Sequence, residues 1–467
     1  MHDLVLRAEA GPVDLGSATV HTWSYGGQVP GPEIRVRPGD TLRAVLDNRL
    51  PAPTTVHWHG VELSYPMDGV PGLTQPQVAP GSTFTNSYLV PDQPGTYWFH
   101  PHVGVQLDRG LYGPLIIEDP HEPLSYEHDW TVVLDDWIDG VTATPDQVLA
   151  TLTRGMGAMS GAGMRSASPA PSMAGMSMPA ASPGGMPAGV PGVMLTGATS
   201  RLLGGDAGDV RYPFYVINGR TAGAPPAASA RPGQRARIRL INAGGDTAFR
   251  VALGGHRLRV VHADGYPVQP VDADAVLVGM GERYDVIVTL GDGVFPLVAS
   301  AEGKHGTALA LIRTGPGRPP GPDVRPRELS GHVLDYAQLR PAGAARLAPR
   351  TPDRTIRMTL EGGMARYNWT INGHPYQPGQ ISAAVRHGER VRLVYANTTS
   401  MWHPMHLHGH AFALRDGTGP RKDTVIVLPH QAVTVQFDAS NPGRWMTHCH
   451  NVYHAESAMM AAIGYLR

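Results

Sequence analysis

Three stretches of this chain repeat one another, and that repeat restricts the possible folds more than any other feature. The first runs from Pro30 to Asn48 around Arg37-Pro38-Gly39, the second from Ala230 to Ala243 around Arg231-Pro232-Gly233, the third from Val385 to Asn397 around Arg386-His387-Gly388. Each reads as a strand, a glycine turn and an alternating apolar and polar strand that ends at asparagine: Asn48, Asn242 or Asn397. Three copies of one sandwich are the simplest account. The chain has 57 Gly and 44 Pro among 467 residues, which suits many short strands joined by turns. The expectation is an all-β chain of three Greek-key β-sandwich domains, at 1–124, 125–318 and 319–467.

Counting on from each turn glycine gives the repeat a chemical meaning. His57 and His59 lie 18 and 20 residues beyond Gly39, and His406 and His408 lie 18 and 20 beyond Gly388. Later in the same two copies, His100 and His102 lie five and seven beyond Gly95, and His448 and His450 five and seven beyond Gly443. Four His-X-His pairs thus occupy two equivalent places in two equivalent domains. At the matching middle positions stand Val251 and Leu253. The eight imidazoles are expected to meet where the first and third domains face each other, with pseudo-twofold symmetry and the middle domain as spacer.

The stretch from His448 to Met459 contains the only cysteine, Cys449. A soft thiolate with two imidazoles and a weak thioether is the ligand set of an electron-transfer copper site. Cys449, His454 and Met459 supply three of those ligands from one loop. His403, ahead of the His406/His408 pair, is free to supply the fourth. Alternate residues of an extended segment share a face, so His448 and His450 point away from the Cys449 sulfur and one loop can serve two metal sites.

Residues 155 to 194 are mostly Gly, Ala, Ser, Pro and Met, and they hold eight of the 18 methionines. Such a segment cannot form a packed core; mobility with room for one short helix is expected, within an insert at about 141–205. Thioethers select Cu(I), so the segment reads as a copper-collecting arm. The alternative is a linker in which Met is incidental. A net charge of -1 without a basic stripe argues against nucleic acid, and no run of 18 apolar residues suggests a membrane span. Leu4-Val5-Leu6-Arg7 reads as a strand almost at Met1, which leaves no room for a signal peptide, so either the protein is cytoplasmic or a targeting segment is missing from this chain.

His57-Trp58-His59-Gly60, His100-Pro101-His102, His403-Pro404-Met405-His406-Leu407-His408 and the loop from His448 to Met459 together resemble the multicopper oxidases, the laccase-like three-domain family of cupredoxin repeats. The repeats extend the resemblance over nearly the whole chain. It implies four copper ions: type 1 copper at His403, Cys449 and His454 with Met459 axial, type 2 at His57 and His406, and a type 3 pair at His59, His100, His102, His408, His448 and His450. Met460 is the neighbouring competitor of Met459, which has the family spacing. His410 is taken as structural.

The resemblance also implies one-electron oxidation of a reductant at the type 1 site and four-electron reduction of dioxygen (O2) to water. Asp68, in Tyr65-Pro66-Met67-Asp68-Gly69, stands where the family keeps an acid near the cluster and is the expected proton relay; alone it reads as an Asp-Gly turn. Many bacterial relatives carry an acid directly after the second type 1 histidine. Here that residue is Ala455, and Glu456 one later is a second proton donor, a substrate-facing group or a solvated side chain. The Met-rich segment resembles those of bacterial copper-resistance oxidases. The expected reductants are therefore Cu(I), then phenols and aromatic amines, with Fe(II) in addition; a general phenol laccase and a copper-sequestering protein are the alternatives. The expected protein is an exported monomer whose leader is missing from this chain.

Overall fold

The strand after each turn glycine has the same neighbours in all three copies. In this computed structural model, which describes residues 1–154, 190 and 192–466, Thr41–Asn48 pairs parallel with His2–Asp14 and antiparallel with Thr83–Leu89. Arg235–Asn242 lies parallel to His128–Trp137 and antiparallel to Arg283–Thr289. Arg390–Asn397 lies parallel to Arg354–Glu361 and antiparallel to Ala432–Asp438. Gly39, Gly233 and Gly388 carry φ of 81°, 82° and 83°, left-handed geometry that glycine adopts without a Cβ penalty.

The asparagine that ends each copy has one recurring task. Its side-chain amide reaches into the following loop: Asn48 Nδ2 donates to Ala52 O at 3.0 Å, Asn242 Nδ2 to Thr247 O at 2.9 Å and Asn397 Nδ2 to Met401 O at 2.7 Å. Each Oδ1 accepts the amide two residues on, from Leu50, Gly244 or Thr399. A buried amide satisfied on both ends fixes the path of the loop, and in the outer copies that loop leads straight into the histidines.

A second sheet closes each copy into a sandwich. In the first it runs in the order Ile34–Val36, Gly113–Ile117, Gly95–His100, His57–His59; in the third, Ala383–Val385, Met460–Tyr465, Arg444–Cys449, His403–Leu407, Thr424–Val427. The middle sandwich pairs a seven-stranded with a five-stranded sheet. Where the outer copies carry imidazoles, the middle one buries Val251 and Leu253 in its own core. The same site has become ordinary apolar packing.

One capped helix, Pro145–Thr153, precedes the Met-rich segment, with Thr144 and Gln147 forming a capping box. Seven of the eight methionines, and the mobility expected there, lie outside the described residues; Met194 is buried. No helix among the described residues is long and apolar enough to cross a membrane.

Candidate metal centres

Two strands side by side bring the ligands together. His403 and His406 are three apart on the strand His403–Leu407, so they project to opposite faces. Cys449 pairs with Met405 and His448 with His406 across the ladder to Arg444–Cys449, which sorts Cys449 to one side and its histidine neighbours to the other. The short helix Val452–Glu456 then returns His454; its cap, Asn451, accepts from the amides of Tyr453 and His454.

On the cysteine side, Cys449 Sγ lies 3.7 Å from His403 Nδ1 and 3.7 Å from His454 Nδ1, and the two nitrogens are 3.1 Å apart. Their outer nitrogens fix the tautomers. His454 Nε2 donates to Asp209 Oδ2 at 2.9 Å, and His403 Nε2 lies 2.9 Å from Thr399 Oγ1. The Thr399 hydroxyl itself donates to Asn397 Oδ1 at 2.8 Å, so it accepts from His403. Both Nδ1 atoms therefore present lone pairs to one point, beside a thiol whose pKa burial pushes far up. Met459 is buried, its amide donating to His454 O and its carbonyl accepting from Cys449 N. Met460 starts the next strand opposite His448 and packs against another apolar cluster.

On the other side the eight paired histidines form one cage across the first and third sandwiches. His57 stacks on His408 with ring centroids 3.9 Å apart, and His59 on His406 at 3.8 Å. Asp68 holds the first stack: its carbonyl accepts from His57 Nδ1 at 2.8 Å and its Oδ2 from His408 Nδ1 at 3.0 Å. Asp423 holds the second in the same way, its carbonyl accepting from His406 Nδ1 at 2.9 Å and its Oδ1 from His59 Nε2 at 3.0 Å. The Asp-Gly turn and the site are one device. Gly69 has φ 83°, and a Cβ there would fall 1.9 Å from Val56 O, so only glycine lets the Asp68 carbonyl reach His57.

The remaining four imidazoles close the cage. His100 Nδ1 donates to Pro101 O at 2.9 Å and His448 Nδ1 to Cys449 O at 2.8 Å. His448 Nε2 faces His408 Nε2 at 3.1 Å and His102 Nε2 at 3.4 Å. His450 lies between His59 and His100, at centroid distances of 5.0 and 5.3 Å. Burial, acting first, holds the pKa values of His59, His100, His102, His408, His448 and His450 well below the ordinary imidazole range. These are neutral bases with lone pairs turned inward.

The inward atoms answer whether metal fits. His57 Nε2, His59 Nδ1, His100 Nε2, His406 Nε2 and both nitrogens of His450 are buried without a hydrogen-bond partner among the described residues. Each such orphan costs about 1–3 kcal/mol, and native interiors rarely tolerate a cluster of them. Several sets of three ligand atoms, including His57/His59/His100, His102/His408/His448 and His403/Cys449/His454, lie mutually within 4.8 Å. A soft thiolate with imidazoles, and a cage of imidazoles, are donor sets that suit copper. The chain's remaining 12 of 22 histidines are not needed; His410, for one, is tied to Tyr465 Oη at 2.7 Å.

Of the two expected acids, Asp68 lies in the cage wall. Glu456 is half-buried and lines a cavity of about 30 Å³ together with His100, His102, His448 and His450. Sequence reasoning missed Asp423, Asp209 and Thr399. Asp68 lies nine residues beyond His59 but Asp423 15 beyond His408, so the repeat register that exposes the histidines hides their shared carboxylate pattern.

Three family models described as multicopper oxidase match residues 9–122, 197–317 and 349–465. The multicopper oxidase MmcO of Mycobacterium tuberculosis is 47% identical over 464 residues, covering 99% of this chain and 86% of the relative. Copper resistance protein A of Escherichia coli is 28% identical over 550 residues, covering 94% and 88%. The crystal structure of the laccase from Botrytis aclada matches with a TM-score of 0.76 at 25% identity, over 99% of this chain and 87% of the laccase. With matching models in all three sandwiches and a relative this similar along its length, the chain belongs to the multicopper oxidase family.

Proposed function

We propose that this oxidase takes electrons one at a time from Cu(I), with phenols, aromatic amines and Fe(II) as further reductants, and uses four of them to reduce O2 to water. In this reading His403, Cys449, His454 and Met459 would hold a type 1 copper, His57 and His406 a type 2 copper, and the other six cage histidines a type 3 pair. Bound copper supplies the one-electron oxidation at the cysteine triad and the reduction of dioxygen in the cage. The observation that carries the assignment is the position of Cys449: its sulfur faces His403 and His454 while His448 and His450, its covalent neighbours, face the cage. A thiolate and two cage imidazoles thus share one short run of backbone, and a storage protein has no use for that linkage.

The chain's own groups supply orientation and protons. Where an acceptor stands behind an imidazole, as at His57, His59, His408 and His454, it selects the tautomer that turns a lone pair inward. Asp68, between His57 and His408, and Glu456, on the cavity beside four cage histidines, are the carboxyls from which protons reach reduced oxygen. Units at 1–124, 125–318 and 319–467 divide this labour, the protein works as an exported monomer, and its role is copper tolerance.

The described end of the Met-rich segment supports Cu(I) as substrate. Met194 bridges to Val210, Leu195 N donates to Asp209 O at 2.7 Å, and Asp209 accepts from His454. Met194, the last methionine of the run, therefore lies beside the residue bonded to a triad imidazole, the edge at which a reductant delivers its electron. Oxygen consumption by the copper-loaded protein tests this, with Cu(I) and a simple phenol run in parallel, in the full chain and in one lacking residues 155–194. Cu(I) oxidation should fall on deletion while phenol oxidation stays level or rises. Equal loss of both would remove the copper-collecting role.

A further inference from the structure

The middle sandwich, expected as a spacer, reaches into the cage. Its turn from Gly279 to Arg283 packs directly on the ligands: a Cβ at Gly281, where φ is 84°, would fall 2.8 Å from His450 Cδ2 and 3.1 Å from His59 Cε1. Two residues later Arg283 is completely buried. Its Nη1 and Nη2 donate to the two carboxylate oxygens of Asp423, each at 2.7 Å, its Nε to Thr96 O at 3.0 Å, and Nη1 again to Gly281 O at 3.1 Å. Gly60 stands where the guanidinium passes; a Cβ there would lie 2.5 Å from Arg283 Nη2 and from Asp423 Oδ2.

The flanking residues are gripped as well. Lys422 Nζ lies 3.0 Å from both Asp264 Oδ2 and Glu282 Oε1. Asp264 Oδ2 also accepts from the backbone amides of Asp423 and Thr424, at 3.2 and 3.1 Å. Asp264, Glu282 and Arg283 of the middle sandwich thus hold Lys422, Asp423 and Thr424 of the third. Buried ion networks of this kind are better suited to fixing geometry than to adding stability, and what is fixed here is the carboxylate behind His59 and His406.

We propose that Arg283 is a positioning residue of the cage: acting through Asp423, it sets the orientation of the stacked His59/His406 pair, so the copper held by this half depends on the sandwich that supplies no ligand. This rests on the assignment of the cage as a copper site. The planar fork of arginine is what the role needs, since it fixes the rotation of the carboxylate through two parallel bonds, and a lysine ammonium gives only a point charge.

The test uses the full chain carrying Arg283→Lys or Arg283→Gln, with copper per chain, the blue absorption of the cysteine site and the paramagnetic-resonance signal of the type 2 copper as readouts. Both variants should keep the blue absorption and its bleaching by reductant. Both should show an altered type 2 signal and an affinity for cage copper lowered about 10–100-fold, the usual effect of losing a group behind a ligand. The KM for O2 should shift more than the KM for reductant. A type 2 signal and copper affinity like those of the parent in Arg283→Lys would overturn the proposal, as would a lowered melting temperature with an unchanged signal. Arg283→Lys keeps the buried charge and decides the matter if Arg283→Gln does not accumulate. A parent protein without any type 2 signal would instead refute the copper assignment itself.

Discussion

Asp68 and Asp423 perform the same task at opposite corners of the cage, and they are held differently. Each accepts from one imidazole through its carbonyl and from the stacked partner through its carboxylate. Asp423 is also clamped by the buried fork of Arg283, which acts against burial to hold its carboxyl well below the usual range. Among the described residues, no arginine or lysine pairs with Asp68; its ion-pair partners are His57 and His408. The repeat copied the imidazoles, but their carboxylates come from loops of different length. One corner's carboxylate is therefore paired with a buried guanidinium, and the other's with imidazoles alone.

The largest expected effect is one in which the two corners should not differ. In the metal-free protein, burial depresses the pKa values of His403 and of the cage imidazoles on both sides, including His59, His100, His408 and His450. Below about pH 6.5 the unfolded chain takes up protons that the folded chain refuses, so stability falls as pH falls. Each such group contributes up to about 1.4 kcal/mol per pH unit. Denaturant midpoints of metal-free protein between pH 7.5 and 5 should drop steeply in a single transition. Two transitions would show that the halves of the cage are energetically separate.

Asp423→Asn comes next and should divide the corners. It removes the bidentate partner of Arg283 and leaves only Asp264, 3.7 Å away, as a counter-charge. The loss should therefore approach about 3–5 kcal/mol, the cost of a broken buried pair, whereas Asp68→Asn strands no arginine or lysine and should cost much less. Chemical denaturation of both variants measures the contrast, and equal losses would erase it. Coupled to Arg283→Gln, Asp423→Asn should be less destabilising than the two single losses added together, by about 0.5–3 kcal/mol for groups in direct contact.

The same two corners show what a sequence reader can and cannot see. The strands, glycine turns and histidine pairs are legible because they are local and keep a constant count from the turn: Gly39 to His57 equals Gly388 to His406. Cys449 is legible because its neighbours alternate along a strand. Asp68 is found only through the family resemblance, in a short loop after its histidines, since alone it reads as an Asp-Gly turn. Asp423 cannot be found in this way, since it borders a two-residue strand, Arg421–Lys422, and gains its role only when the third sandwich folds back on itself and docks against the second. The middle domain reads as a spacer because the absence of His at 251 and 253 is visible, while the approach of Gly281 and Arg283 exists only in three dimensions.

Asp68→Asn should affect turnover more than structure. Asparagine keeps the backbone carbonyl that orients His57 and an oxygen for His408, so cage copper and its spectrum should stay close to those of the parent, while O2 reduction slows by about 10–100-fold. Reduction of the blue site by substrate under nitrogen should be unchanged. Loss of copper in step with activity would make Asp68 a brace like Asp423 and abolish the distinction between the corners.

The smallest effect is expected at Glu456, which touches neither stack but opens on the cavity lined by His100, His102, His448 and His450. Burial, seconded by nearby Asp146, pushes its carboxyl up to about 7, so near neutral pH it can both give and regain a proton. If Asp68 is the mobile corner, Glu456 refills it from outside and Glu456→Gln should lower turnover by no more than about tenfold, the low end for groups beside ligands. Copper content and the blue absorption should not change, and Glu456→Asp should recover part of the rate. A loss as large as that of Asp68→Asn would place proton entry at Glu456 and leave Asp68 to orient imidazoles alone; with no loss in either variant, protons reach the cage by a route that uses neither carboxyl.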